Sequence, residues 1–234
     1  MNRIKGKFIV FEGLDGSGKF TQAKLLAKYL RKKGCKVAMI DFPQYGEKSA
    51  GLVENYLTGK YGNPQEVTPY IASIFYAVDR YDASFKIRKW LKEGKIVISD
   101  RYVVSNIGYQ GGKIKNKKQR EKFIKWVYNL EYNIFGIPKP DIVFIFKTSP
   151  ELARKMAPKI TDRKKKKKRI TYLGKRKRDI HEKDLECLSN ALDSYLEVAK
   201  KFPKDFIIIN CMKNNKLLPP LEIHKIILKK LEQK

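Results

Sequence analysis

Cysteine is scarce in this chain of 234 residues. Cys35, Cys187 and Cys211 are odd in number, far apart and without metal-ligand spacing, so neither a disulfide framework nor a zinc site is indicated. Histidine is scarcer still. His181 and His224 both read as surface residues rather than as bases or ligands. No apolar run approaches the roughly 20 residues of a membrane span, and Phe8–Phe11 is too short for a signal-peptide core, which leads us to expect a cytosolic protein. Acidic residues are the other shortage: 24 Asp and Glu face 52 Lys and Arg, for a formal charge of +28. With hydrophobic residues at 42%, the length and composition fit one globular domain over 1–234.

The positive excess admits two explanations. A polyanion would release counterions on binding, and a nucleotide would be steered toward a positive mouth. Much of the excess, however, is spread over helical faces such as Lys113–Lys122 and Lys225–Lys234, where lysine is simply solvated. A nucleic-acid partner is compatible with the charge but not required by it.

Short, nearly continuous apolar runs at Phe8–Phe11, Val37–Phe42, Ile96–Ser99, Ile142–Phe146 and Phe206–Ile209 have the length of strands buried on both faces. Longer helical patterns separate them, so the expected architecture is three-layer α/β, with a five-stranded parallel sheet flanked by helices. Ala23, Leu26, Ala27 and Leu30 recur at helical spacing before Gly34. Further helices are expected over Pro69–Lys92, Lys117–Phe135 and Asp179–Lys201. Thr161–Arg178 is rich in cations and almost free of apolar residues, which reads as an excursion from the core, a basic lid at about 158–178.

Between the first strand and the first helix lies Gly13-Leu14-Asp15-Gly16-Ser17-Gly18-Lys19. In that context the pattern is a phosphate loop. Gly13, Gly16 and Gly18 let backbone N–H groups of the loop, Ser17 included, converge on phosphate oxygens, the helix N-terminus adds its dipole, and Lys19 reaches the β- and γ-phosphates of ATP. The hydroxyl residue that follows the lysine in this motif, and ligates Mg²⁺, is here Phe20, with Thr21 next. Phenylalanine cannot ligate a metal, and Thr21 lies about 100° further round the helix. Either catalysis is weakened or water completes the Mg²⁺ shell, and the second is favoured because it suits an ion that dehydrates reluctantly.

Four stretches then carry a resemblance over nearly the whole chain: Phe11–Lys19, Phe42-Pro43-Gln44-Tyr45-Gly46, Phe75–Tyr81, and Asp100-Arg101-Tyr102-Val103-Val104-Ser105-Asn106 running on to Tyr109-Gln110-Gly111-Gly112. In this order and spacing the chain resembles the thymidylate kinases. The resemblance implies an ATP:dTMP phosphotransferase with a P-loop kinase fold and a homodimer. It places Tyr76 against the pyrimidine ring, Arg80 on a base carbonyl edge, and Phe42 and Tyr45 along the acceptor site. Asn106 would touch the base or its surroundings, Ser105 and Gln110 would also bind dTMP, and Tyr109 would stand near the sugar 2′ carbon. Asp15 would approach the acceptor sugar and the metal region, and Arg101 would bridge the two phosphates. Asp100 would hold the Mg²⁺ water shell or orient Arg101. Physical reasoning supports the last pair, because both residues lie just beyond the carboxyl end of a strand. Gly16 stands where one subclass of the family has an arginine, so the second cation is sought in the lid, among Arg163, Arg169, Arg176 and Arg178.

The chemistry needs no base. The second pKa of a nucleoside monophosphate is near 6, so the attacking oxygen is already ionised at neutral pH. Two rival readings stay open at this level: a kinase for another monophosphate or for a deoxynucleoside, and an inactive nucleotide-binding descendant that uses its basic surface on nucleic acid.

Overall fold

A computed structural model describes residues 6–62, 66–157 and 184–233. Strand β1 (Lys7–Gly13) sends Phe8 and Val10 to one face and Ile9 and Phe11 to the other, and all four are buried. That two-sided burial needs helices above and below. On one face α1 (Lys19–Lys32) and α8 (Pro220–Glu232) cover Ile9, Phe11, Ile98, Phe144 and Phe146 with Ala23, Leu26, Ile223 and Ile227. On the other, α3 (Pro69–Lys92), α4 (Val104–Tyr109), α5 (Lys117–Tyr128) and α7 (Leu185–Lys201) pack on Phe8, Val10, Val97, Val143 and Ile145.

The sheet is completed by β2 (Val37–Asp41), β3 (Ile96–Asp100), β4 (Ile142–Lys147) and β5 (Phe206–Asn210), all parallel, in the order β2-β3-β1-β4-β5. The order turns around β1, so the loop after β1 opens at a topological switch point, where sheets of this kind bind ligands. The register sets Phe11 opposite Asp100, and the Arg101 N–H donates to the Phe11 carbonyl at 2.8 Å. The carboxyl ends of β1 and β3 are thereby tied together.

The expected three-layer fold and parallel sheet are observed, with strand ends within two residues of the expected ones at every strand. Helix α3 has the expected bounds, Pro69–Lys92, because Thr68 caps it by accepting from the Ile71 N–H at 3.3 Å and Pro69 occupies its first turn. The stretch expected as one helix to Phe135 differs: after Tyr128 it widens into a π-helical turn over Asn129–Ile134. Short helices α2 (Gly51–Leu57) and α6 (Pro150–Met156) are too brief for periodicity to reveal. Beyond β5 a hairpin, β6 (Met212–Lys213) and β7 (Lys216–Leu217), turns on Asn214 and Asn215 at φ 51° and 57°, the geometry asparagine tolerates best after glycine. His224 is not a simple surface residue. It is half-buried on α8, with its ring edge-on to Tyr29 at 6.1 Å. The lid and the expected start of the fourth helix at Asp179 lie outside the described residues.

Helix α7 approaches α4 closely because the facing residues are glycines. A Cβ on Gly108 would sit 2.3 Å from the ring of Tyr195, and one on Gly112 2.8 Å from the backbone of Asn190. This contact carries a tyrosine hydroxyl from the far end of the chain to the end of β3.

Candidate active site

The loop between β1 and α1 wraps a cradle whose lysine is held in place. Lys19 is buried, and its Nζ donates to the Leu14 carbonyl at 2.7 Å. Gly16 has φ 83°, and a Cβ there would lie 2.2 Å from the Ala153 carbonyl on α6. Both facts exclude an arginine side chain at this position. Phe20 is half-buried, with Lys24 Nζ 5.4 Å from its ring centroid, and Thr21 is exposed.

Across from the loop, Arg101 has φ 73°, a left-handed conformation uncommon outside glycine and a mark of functional corners. Its carbonyl accepts from Ser99 Oγ at 2.6 Å, which helps hold the corner. The guanidinium has two distinct edges. Nη2 pairs with Asp15 Oδ1 at 2.6 Å and donates to Tyr109 Oη at 3.2 Å. Nη1 donates to Ser105 Oγ at 3.1 Å and Tyr195 Oη at 3.4 Å. Tyr109 Oη donates in turn to Asp15 Oδ2 at 3.0 Å and accepts from the Asp15 N–H at 3.1 Å. Asp100 is buried beside this corner, at the end of β3.

Burial tends to raise the Asp15 carboxyl, but the charges of Arg101 and Lys19 outweigh it and hold Asp15 well below the usual carboxylate range. The group's folded pKa is depressed, so its contribution to stability is present above about pH 4 and is lost only as pH falls through the folded value. With 38% of the Asp15 side chain exposed, solvent screens the pair. Burial also disfavours the phenolates of Tyr109 and Tyr195, so both remain neutral donors and acceptors.

Beneath the corner lies Glu12, fully buried. Its Oε1 accepts from the N–H groups of Tyr102 at 2.8 Å and Ser105 at 3.1 Å, while Oε2 accepts from Ser105 Oγ at 2.6 Å and Tyr195 Oη at 3.3 Å. Burial pushes the Glu12 carboxyl upward, against the Ser105 hydrogen bond and the Arg101 charge.

On the acceptor side, Arg80 is buried in a forked pair with Glu131, Nε to Oε2 at 2.5 Å and Nη2 to Oε1 at 2.7 Å, and its Nη1 donates to the Tyr102 carbonyl at 3.3 Å. Burial opposes the charge of Arg80, and Glu131 restores it. Asn106 Nδ2 donates to Glu131 Oε1 and to the Ser73 carbonyl, both at 3.1 Å. Tyr76 is half-buried and stands edge-on to Tyr56 at 6.3 Å. Tyr45 packs with it on the cluster of Val53, Tyr56 and Leu57. Phe42 is buried, its ring 5.6 Å from Tyr102. The turn that carries Phe42 and Tyr45 is pinned to α3 by Asp79, whose carboxylate accepts from the Gln44 N–H at 2.9 Å and Ser49 Oγ at 2.6 Å. Gln110 is buried and accepts from Tyr56 Oη at 3.5 Å.

The profile of the thymidylate kinase family matches residues 11–218. The chain belongs to the thymidylate kinase family. It is 31% identical over 226 residues to the thymidylate kinase of a Thermoanaerobacter species, covering 96% of this chain and 97% of that one. It is 31% identical over 238 residues to that of Rickettsia typhi, covering 99% of this chain and 100% of the other. In three dimensions the thymidylate kinase of Candida albicans superposes with a TM-score of 0.68 at 23% identity, over 98% of this chain and 92% of that one. The activity is accordingly that of a thymidylate kinase, a phosphotransferase acting on nucleotides.

Measured against this thymidylate kinase site, the residues expected from sequence fall into two groups. Asp15, Arg101, Ser105 and Tyr109 form one hydrogen-bonded cluster beside the Lys19 loop, while Phe42, Tyr45, Tyr76, Arg80, Asn106 and Gln110 line the region between α2, α3 and α4. Arg163, Arg169, Arg176 and Arg178 lie outside the described residues. Sequence reasoning did not single out Glu12, Asp79, Glu131 or Tyr195. The first two sit inside quoted motifs and could have been flagged as acids within apolar surroundings. Glu131 had no such signal, because it comes inward only through the π-helical turn.

Removing one partner of a buried ion pair costs about 3–5 kcal/mol, since the other charge stays buried alone. Glu131→Gln should therefore lower the urea midpoint markedly and raise the KM for dTMP, whereas an unchanged midpoint would show that Arg80 keeps its place without Glu131.

Proposed function

We propose that the chain transfers the γ-phosphoryl group of ATP in line to dTMP, forming dTDP, with Arg101 as the shared clamp. The observation that carries this reading is the Arg101–Asp15 pair spanning the two strand ends. In the reading, ATP binds through the amides of the Gly13–Gly18 loop, with Lys19 on its β- and γ-phosphates. The Nη2 edge of Arg101 then exchanges Asp15 for phosphate oxygens of donor and acceptor. A guanidinium suits that exchange because its fork matches two oxygens at once. Catalysis is positioning plus neutralisation of the charge that develops between two anions.

Tyr76 would face the pyrimidine, with Asn106, Gln110 and the Nη1 of Arg80 at its polar edge, and Tyr109 would crowd the 2′ position. Phe42, Tyr45 and Ser105 would complete the acceptor wall. Cations from the lid, among Arg163, Arg169, Arg176 and Arg178, would supply what Gly16 cannot.

The residues present fit a magnesium ion only at one remove. Asp15 and Asp100 are carboxylates near the phosphate loop, Phe20 offers no ligand, and the described residues hold no cluster of three metal-ligating side chains. Bound Mg²⁺ would screen the β- and γ-phosphates, with Asp15 and Asp100 holding its waters.

The exposed face of α3 supports a homodimer. Ile71, Ile74, Val78, Tyr81 and Phe85 recur at spacings of three and four with exposures of 47, 40, 37, 41 and 59%. An apolar stripe of that length on a charged protein marks an association surface. Among the described residues no helix is long and apolar enough to cross a membrane.

Turnover measured across dTMP, dUMP, UMP, CMP and thymidine, over a magnesium series, tests the substrate reading. dTMP should be preferred, Mg²⁺ required, and Lys19→Ala and Arg101→Ala each inactive in a folded protein. Preference for another acceptor would contradict the pocket assignment, and an active Arg101→Ala enzyme would remove the clamp. Sedimentation should give a dimer that Phe85→Glu converts to monomer; a wild-type monomer would contradict the dimer.

A further inference from the structure

The mechanism uses one edge of Arg101 and leaves the other to be explained. Nη1 is held by two hydroxyls, Ser105 Oγ at 3.1 Å and Tyr195 Oη at 3.4 Å, and both of them reach the same buried carboxylate oxygen, Glu12 Oε2, at 2.6 and 3.3 Å. A hydroxyl that donates its only proton to a carboxylate turns its lone pairs the other way. Here those lone pairs face the guanidinium. The single proton of Tyr195 has two acceptors, Glu12 Oε2 at 3.3 Å and Ser105 Oγ at 3.2 Å, and with either of them the Tyr195 oxygen still accepts from Nη1.

A direct second carboxylate on Arg101 would cancel the charge needed by the phosphates. Two oriented hydroxyls fix the plane of the guanidinium and leave its charge intact. The distinction matters because, once Nη2 lets go of Asp15, Tyr109 alone holds that edge, through its hydroxyl at 3.2 Å and its ring 5.0 Å from the guanidinium carbon, and the two hydroxyls on Nη1 keep the fork aimed. Tyr195 comes from α7, the first described element after the lid segment, and its ring is fully buried against Gly108 and edge-on to Tyr109 at 6.3 Å.

We propose that Tyr195 is a positioning residue for phosphoryl transfer: its hydroxyl, oriented with that of Ser105 by Glu12, aims Arg101 at the phosphates while the Asp15 contact opens. The inference rests on Arg101 being the clamp. Ser105 contributes the same kind of contact from α4, but Tyr195 alone ties the clamp to a helix packed from the distal part of the chain.

Tyr195→Phe deletes the hydroxyl and keeps the ring in its place against Gly108, so it isolates the proposed role. Loss of a hydrogen bond to a charged group is worth about tenfold in rate or somewhat more. The variant should lose about tenfold in kcat, with the KM for ATP and the melting temperature near wild-type values. A double-mutant cycle with Arg101→Lys supplies the readout that a packing role would not move. Lysine has no second edge for Tyr195 to hold, so Tyr195→Phe should cause no further loss in that background. Wild-type kcat in Tyr195→Phe, with Arg101→Ala inactive, overturns the inference and leaves the clamp standing. The same is concluded if the tenfold loss persists in the Arg101→Lys background, or if it is matched by a lower melting temperature. An active Arg101→Ala enzyme overturns the clamp itself.

Discussion

The contact between Asp15 and Arg101 is what the site is built around. One residue belongs to the loop after β1 and the other to the corner after β3, and the 2.6 Å pair between them joins the two strand ends. Everything that brings these residues together can be traced to the sheet. β1 and β3 are adjacent and parallel, their register sets Phe11 beside Asp100, and the Arg101 N–H extends the ladder by one bond at 2.8 Å. The left-handed corner at Arg101 then swings the side chain back over the cleft.

Acidic residues are few in this chain, and their use in the site is telling. Glu12, Asp79 and Glu131 are all buried, and each anchors a different piece of the site. Glu12 gathers the amides and hydroxyls of the Arg101 corner, Asp79 ties the Phe42–Tyr45 turn to α3, and Glu131 holds Arg80 and Asn106. A buried carboxylate is retained only where donors surround it, so each of the three fixes the position of several neighbours at once. The large positive surplus therefore coexists with a site whose inner framework is acidic, while Asp15 is a carboxylate left half-open to solvent.

Much of this was legible from the sequence. Uninterrupted apolar runs such as Ile142–Phe146 carry the signature of strands covered on both faces, and the glycines and lysine of Gly13–Lys19 read as a phosphate loop between a strand and a helix. The helical stretch expected from Pro69 starts there in the structure. What stayed hidden were contacts between distant segments. Tyr195 lies 183 positions from Glu12, and nothing in local periodicity connects them. Gly108, Gly111 and Gly112 are the trace such a contact leaves in sequence, since a helix face without side chains is a place where another helix approaches. Glu131 needed the change of helical register after Tyr128, which apolar spacing alone cannot show.

The central claim is that Arg101 leaves Asp15 to hold two phosphates together. A crystal structure with dTMP and a non-hydrolysable ATP analogue tests it most directly. The account predicts Nη2 of Arg101 within hydrogen-bond distance of phosphate oxygens, displaced from Asp15, with Nη1 still on Ser105 and Tyr195. Both nucleotides bound with Arg101 still paired to Asp15 would contradict it.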